Sequence, residues 1–282
     1  MSAVDVLDVG RAPRARVSPR FLMSELKIIF GRRRNLAGMA ILAVVPVIIA
    51  IATRVSGSGG SDFIRAITGN GLFVAFAALT AEMPLFLPLA VSAISGDAIA
   101  GEANLGTLRY LLTIPAGRTR LLITKYAAIV IFACTATALV ALVGAVMGLA
   151  LFGGGDMTTL SGTSVSFGSS VLRLILTSAY LAVGFSALGA VGLFISTLTE
   201  QPIGATIAVL VVNVLMFICN SITQLEWLHP WLLTHWWFAF GDLLRDPIYT
   251  DNVQRGVLTA AVYVAVFGLA AWARFSTKDV SS

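Results

Sequence analysis

The stretch LLITKYAAIVIFACTATALVALVGAVMGLALF, from Leu121 to Phe152, decides the fold. It stays apolar for longer than the roughly 18 residues a helix needs to cross about 30 Å of hydrocarbon. Lipid offers backbone amides and carbonyls no partner, so a run of this kind must be helical. Five further runs share the pattern: Leu36–Thr53, Gly71–Ser95, Val171–Leu198, Ile203–Ile222 and Val253–Ala273. The runs beginning at Leu121 and Val171 exceed a single bilayer crossing and must tilt, kink or project into water. The expected fold class is all-α, a polytopic membrane protein with six transmembrane helices in one domain spanning 36–274.

Composition agrees with the runs. The chain is 57% hydrophobic and 12% charged, against about 25% charged in soluble domains, and its mean hydropathy is +0.90. The polar, basic stretch before Leu36 has no short apolar core, so no cleavable signal is expected and insertion falls to the first span. Cys134 and Cys219 both sit inside apolar runs and do not form a disulfide framework. The linker-like pieces are a tail over 1–17, the Gly-Ser stretch at Ser56–Asp62, GGGD at Gly153–Asp156 and a tail over 275–282.

Basic residues orient the bundle. Placing the N-terminus in the cytoplasm puts Arg11, Arg14, Arg16, Arg20, Lys27, Arg32, Arg33, Arg34, Arg109, Arg118, Arg120, Lys125, Arg274 and Lys278 on the inner side. That leaves only Arg54, Arg65, Arg173, Arg245 and Arg255 of the 19 elsewhere. This asymmetry predicts a multi-pass protein of the cell membrane with both termini cytoplasmic. The net charge of +5 then reflects topology and anionic membrane lipids, and no nucleic-acid partner is implied.

Between the second and third runs lies DAIAGEANLGTLRYLLTIPAGRTR, Asp97 to Arg120. At 100° per residue, Leu105, Leu108, Leu111 and Leu112 share one face, and Glu102, Gly106 and Tyr110 recur on another with Arg109 close to Glu102. The spacing predicts an amphipathic helix over about 97–114, stopped by Pro115, with its leucine face on the bundle. Gly106 costs about 1 kcal/mol relative to Ala in a helix, an expense that a close-approaching second backbone would explain. An interfacial helix on lipid headgroups is the bland alternative. The outward face carries Glu, Gly and Tyr where that alternative wants Lys and Arg, which favours protein docking.

The run ISGDAIAGEANLGTLRYLLTIPAGRTRLLITK resembles the first cytoplasmic loop of type-2 ABC exporter permeases. The matching elements are Gly101-Glu102, Gly106-Thr107-Leu108, Leu111-Leu112, Pro115 and the basic turn Arg118/Arg120. The STLTEQPIGA loop at Ser196–Ala205 and the six-span layout extend the resemblance over most of the chain; Glu200 departs from the family's usual neutral or basic residue. The resemblance implies a coupling helix seated on a separate ATP-binding subunit, with Glu102, Gly106, Thr107, Arg109 and Tyr110 in contact and Thr199, Glu200 and Gln201 as a second contact. It also implies two ATP-binding subunits and a second permease chain, identical or a sister. No G-x-x-x-x-G-K-[ST] loop occurs. The chain is therefore expected to be non-catalytic and to bind no cofactor of its own, with ATP and Mg held by the partner.

A second amphipathic helix is expected over 18–34. Ser18-Pro19 starts it, with Leu22, Leu26, Ile29 and Phe30 on one face and Arg20, Lys27 and Arg34 on the other. The resemblance makes it a connecting helix along the inner leaflet; a plain headgroup anchor fits the pattern equally.

Glu82 stands about 11 residues into the second run. A mid-bilayer carboxylate costs at least roughly 2.5 kcal/mol, so it faces a cavity or a packing partner. Pro84 and Pro88 each remove a backbone donor and loosen that helix. In the fifth run Thr206, Asn213, Asn220 and Gln224 fall on one face, a stripe that either glues helices or lines a passage. The resemblance places the second and fifth spans across the substrate pathway, which makes Glu82, Thr206, Asn213, Phe217, Asn220 and Gln224 pathway candidates. Gly144 and Gly148 form a GxxxG in the third run, a weak dimer signal.

The segment over about 226–250 holds four of the five Trp and reads as short re-entrant helices in the outer leaflet before the last span. His229 and His235 have no Cys or carboxylate at ligand spacing, so no metal site is expected. Two other classes remain in view. A proton-coupled secondary transporter or channel would use Glu82, although no inverted repeat is evident. An intramembrane hydrolase would need a nucleophile with a base, or H-E-x-x-H, at membrane depth, and neither occurs.

Overall fold

The computed structural model describes residues 19–56, 69–107 and 117–277. The chain begins with α1 (Pro19–Gly31) and α2 (Arg33–Ser56), followed by α3 (Phe73–Glu82) and α4 (Phe86–Asn104). Next come α5 (Arg118–Phe152), a two-stranded antiparallel ribbon pairing Met157 with Val165 and Thr158 with Ser164, and α6 (Phe167–Leu198). After α7 (Pro202–Ser221) the chain makes short 3₁₀ turns at Thr223–Leu225 and His229–Trp231, α8 (Leu233–Trp237) and a 3₁₀ stretch at Phe238–Leu244. It closes with α9 (Asp251–Thr277). Six of these helices, α2, α4, α5, α6, α7 and α9, are long and apolar enough to cross a membrane.

Burial sorts them. The most apolar stretch of α6 is 78% buried, whereas those of α2, α7 and α9 are 22%, 17% and 17% buried. Thus α6 is the central post, packed by α4, α5 and α9, and the outer helices turn Ile41, Ile48, Ile207, Val211, Leu258 and Val262 outward. Apolar side chains facing away from the core on three helices suit hydrocarbon surroundings. At 1.5 Å per residue the 35 residues of α5 span about 50 Å, well beyond the bilayer core.

The second run departs from the single span expected over Gly71–Ser95. It is two helices, because Pro84 has no N–H for the ladder and the chain turns at Met83–Leu85 before α4 begins. From there α4 runs unbroken past Asp97 to Asn104, so the charged residues expected in a separate loop helix form the end of this span. Of the rod expected over 97–114, the part up to Asn104 is the end of α4, and 108–114 lie outside the described residues. Gly106 adopts φ +69°, its N–H bonds Ala103 C=O at 3.0 Å, and the Thr107 N–H bonds Glu102 C=O at 3.0 Å. This is a Schellman end, which satisfies the last carbonyls of the helix and needs a residue tolerant of positive φ. Among the described residues no atom lies within 4 Å of where a Gly106 Cβ would sit, so within this chain the glycine serves the turn. Leu105 is 68% exposed and does not rest on the bundle. Leu108, Arg109, Tyr110, Leu111, Leu112 and Pro115 lie outside the described residues, as do the 1–17 tail and Lys278.

Three smaller expectations also change. The N-terminal amphipathic helix ends at Gly31, and Arg34 belongs to α2. Leu22, Leu26, Ile29 and Phe30 are half-buried, with Arg20 and Lys27 exposed, so its two faces fall as expected. The GxxxG of α5 packs inside the chain: a Cβ on Gly144 would lie 2.6 Å from Ala75 Cα, and one on Gly148 would collide with the Gly71 carbonyl. Small residues here let α3 meet α5, and no surface is left there for a dimer. Trp236 and Trp237 are buried in the core, while Trp227 and Trp231 are 71% and 69% exposed. The tryptophans therefore divide between packing and surface.

Candidate functional site

At one end of the bundle, six charged side chains meet where α1, α2, α4 and α5 converge. Lys125, 6% exposed, reaches Glu25 of α1 at 2.8 Å and Glu102 of α4 at 3.0 Å. Glu102 also accepts from the Thr107 hydroxyl. Beside this triad Asp97 is paired with Arg32 and, at 3.1 Å, with Arg34. Asn35 Nδ2 donates to Ile29 C=O at 2.8 Å and fixes the joint between α1 and α2.

Lys125, Glu25, Glu102 and Asp97 are largely withdrawn from water while Arg32 and Arg34 stay 39% and 58% exposed, and pairing offsets the burial because an unpaired buried charge costs far more than a paired one. The cavity between them is lined by Ile28, Ile29, Ile94, Ala98, Ala128 and Ile129 as well as the charges, and holds about 30 Å³. That is room for about one water and no organic ligand. The arrangement is a mechanical junction: it ties the amphipathic helix to the ends of two membrane-length helices.

Glu102, expected on an outward docking face, is thus turned inward. Of the other residues assigned to that face, Gly106 shapes the turn and Thr107 is half-buried against Glu102. Arg109 and Tyr110 are outside the described residues. Thr199, Glu200 and Gln201 form the connection between α6 and α7 at the same end; the Gln201 N–H donates to Thr199 Oγ1 at 3.1 Å, and Glu200 is exposed. The triad's other members, Glu25 and Lys125, were not singled out from the sequence. Their signal was present: Glu25 falls between Leu22 and Ile29 on the apolar side of α1, and Lys125 interrupts the first turns of an apolar run.

The second constellation lies at the helix break. Glu82 is 0% exposed, and neither carboxylate oxygen has a hydrogen-bond partner among the described residues. Asn213 of α7, equally buried, donates from Nδ2 to Pro84 C=O at 3.3 Å, while its Oδ1 has no partner. The freed carbonyl of a proline-broken helix has thus recruited an asparagine from a neighbour, one of the standard ways such a break is satisfied in a membrane.

The remaining pathway candidates do not gather there. Thr206 packs against Gly96 of α4, and Phe217 meets Trp237 edge-on at 5.8 Å. Asn220 Oδ1 pairs with His235 Nδ1 at 2.7 Å at the opposite end of the molecule. Gln224 is exposed in the turn after α7, which ends at Ser221 before the polar stripe could reach it. Only Thr206 and Asn213 of the stripe therefore face the break and α4, and the apolar face of α7 is the one left outward.

At that opposite end the imidazoles of His229 and His235 stack with centroids 5.7 Å apart. Burial and the neighbouring His229 hold the His235 pKa below its ordinary value. Among the described residues, no group of three or more His, Cys, Asp or Glu side chains could hold a metal ion. Arg173 of α6, 6% exposed, donates to Leu243 C=O at 2.8 Å and to Arg245 C=O, and lies 3.6 Å from Asp246. It anchors the short-helix segment onto the central post.

Fold and site together define a helical protein of multi-pass type, whose charged side chains cluster where its helices end. The chain belongs to the DUF2705 family, described as a protein of unknown function, whose model matches residues 39–281. No curated protein matches the sequence. The matched region takes in every membrane-length helix from the second turn of α2 and leaves out α1, which carries Glu25.

Proposed function

We propose that this chain is the permease subunit of an ATP-driven exporter of the type-2 ABC class. In this reading two permease chains, identical or paired with a sister, form the pathway and couple to two separate ATP-binding subunits. Both termini and the charged junction face the cytoplasm. The turns over 223–244 sit at the outer leaflet, where exposed Trp227 and Trp231 suit the membrane boundary.

One observation carries the reading. The motif that resembles the family's coupling element, Gly101-Glu102 to Gly106-Thr107, ends a helix that runs without interruption from the break at Met83–Leu85. A push on Leu105–Thr107 reaches the middle of the bundle through that helix, whereas a flexible loop would absorb it. The coupling contact in this form is the capped end of a span together with the residues that follow it.

The test is ATP turnover by the full chain assembled with ABC ATP-binding subunits in proteoliposomes. Leu105→Asp changes an exposed side chain without touching the junction. It should leave the chain membrane-inserted while lowering ATP turnover several-fold. Equal turnover in both proteins, or no effect of the chain on the ATPase, overturns the proposal. A second reading, a proton-coupled transporter or channel, draws on the unpartnered Glu82. It requires proton flux through the chain alone that Glu82→Gln abolishes.

A further inference from the structure

In the turn of α4 that carries Asp97, a side chain from another helix bonds the helix backbone. The Ser196 hydroxyl of α6, 0% exposed, accepts the Ile99 N–H at 3.0 Å and the Ala100 N–H at 2.8 Å, and donates to Gly96 C=O at 2.7 Å. In a helix the Ala100 N–H faces Gly96 C=O, and the hydroxyl bonds both groups from the neighbouring helix.

Access to that backbone depends on two glycines. A Cβ on Gly96 would lie 2.7 Å from the Thr206 nitrogen of α7, and one on Gly192 of α6 would overlap the Ser95 hydroxyl. Three helices therefore touch within one turn of Gly96. Within the contact and beyond it on one side lies Asp97–Thr107. Beyond it on the other lies Thr199–Gln201, three residues after Ser196 and five before Thr206.

We infer that Ser196 is a positioning residue that clamps the end of α4 to the α6–α7 connection, so that Asp97–Thr107 and Thr199–Gln201 act as one rigid platform. The inference rests on the permease reading for its use: one ATP-binding subunit would then push on both segments at once. The clamp itself is a property of the chain alone. A single hydroxyl does the joining because its two accepted bonds and one donated bond all go to the backbone of the other helix, and none of the three groups has water to fall back on.

Amide hydrogen exchange of the full chain in lipid nanodiscs tests this. Ser196→Ala should speed exchange at Ile99 and Ala100 by roughly ten- to a hundredfold, the range expected when a buried amide loses its partner. Exchange over 101–107 and 199–201 should rise with it, and Ser196→Thr, which keeps the hydroxyl, should restore both. Unchanged exchange at Ile99 and Ala100 overturns the clamp. A rise confined to those two amides, with 199–201 unaffected, overturns the platform and leaves a local packing role. These measurements need no ATPase, so a failed permease assay is told apart from a failed clamp.

Discussion

Lys125→Met is the perturbation that bears hardest on the charged junction. The substitution keeps the length and apolar stem of the side chain but removes the cation lying 2.8 Å from Glu25 and 3.0 Å from Glu102. At an effective dielectric constant of about 20, each contact of this length is worth roughly 5–6 kcal/mol of attraction. Most of that is offset by the cost of drying the ions. What remains after deleting one partner of a buried set is typically about 3–5 kcal/mol, because the abandoned charges stay behind. Here two carboxylates would be abandoned facing one another. On the scale of about 2–4 °C per kcal/mol for chains of this size class, the melting temperature should fall by roughly 10 °C. The loss should be local first: α1 is held by Glu25 and a few half-buried apolar contacts, so trypsin should cut at Arg20 and Lys27 far faster than in the parent. The triple variant Glu25→Gln, Lys125→Met, Glu102→Gln neutralises the site and should recover most of the stability, since a buried ion set contributes little relative to neutral groups of similar shape. A melting temperature within 2 °C or so of the parent and unchanged cleavage would show that Lys125 does not hold the junction, refuting the reasoning.

Three further outcomes follow from the packing. Gly148→Val should abolish the folded protein, because even a Cβ there would overlap the Gly71 carbonyl; a folded, dimer-deficient product on size-exclusion chromatography would instead restore the GxxxG to an interface. Arg173→Met should strand the Leu243 and Arg245 carbonyls at about 1–3 kcal/mol each, read as accelerated proteolysis over 245–250, and equal resistance would contradict the anchor. Burial depresses the His235 pKa below its ordinary value, so the fold favours the neutral ring. Protonation of the unfolded chain then removes stability as pH falls below about 6.5. The melting temperature should drop between about pH 7.5 and 5.5, and less so in His235→Gln; identical slopes would contradict that environment.

The spans were legible because hydrocarbon imposes one rule on every residue of a run: apolar, and helical to satisfy the backbone. The ends of helices were not, because they obey local chemistry that periodicity does not encode. Leu105 fits a helical face, yet Gly106 stops α4 through two backbone bonds that a pattern of side chains cannot show. Pro84 and Pro88 announced a loosened span but not that it would become two helices. On its own helix Glu102 falls on the outward face; its partners Lys125 and Glu25 come from two other helices, far away in sequence. Glu82 and Asn213 were each conspicuous alone, and only the fold brings both to the Pro84 break. Ser196 opens the STLTEQPIGA stretch, but its bonds to the α4 backbone carry no sequence signal, since a serine in an apolar run is ordinary until its neighbour's backbone is seen.

The second span differs from the others in having a special joint at each end, and this bears on how the bundle could move. Its start is the Pro84 break, where the α7 asparagine replaces a missing ladder bond. Its finish is the balanced ion cluster, where charges hold α1, α2 and α5. Between them α4 has backbone-close contacts at Gly96 and is tied to α6 by the Ser196 hydroxyl, which leaves it little freedom to bend. A helix stiff along its length and held at its ends by few polar bonds moves as a body, because apolar packing slides at modest cost whereas the polar bonds must break or be exchanged. Any force delivered at Thr107 would therefore be resisted at two places, the ion cluster and the Asn213 contact. Weakening either should change how far the motion travels without altering how many spans the chain has.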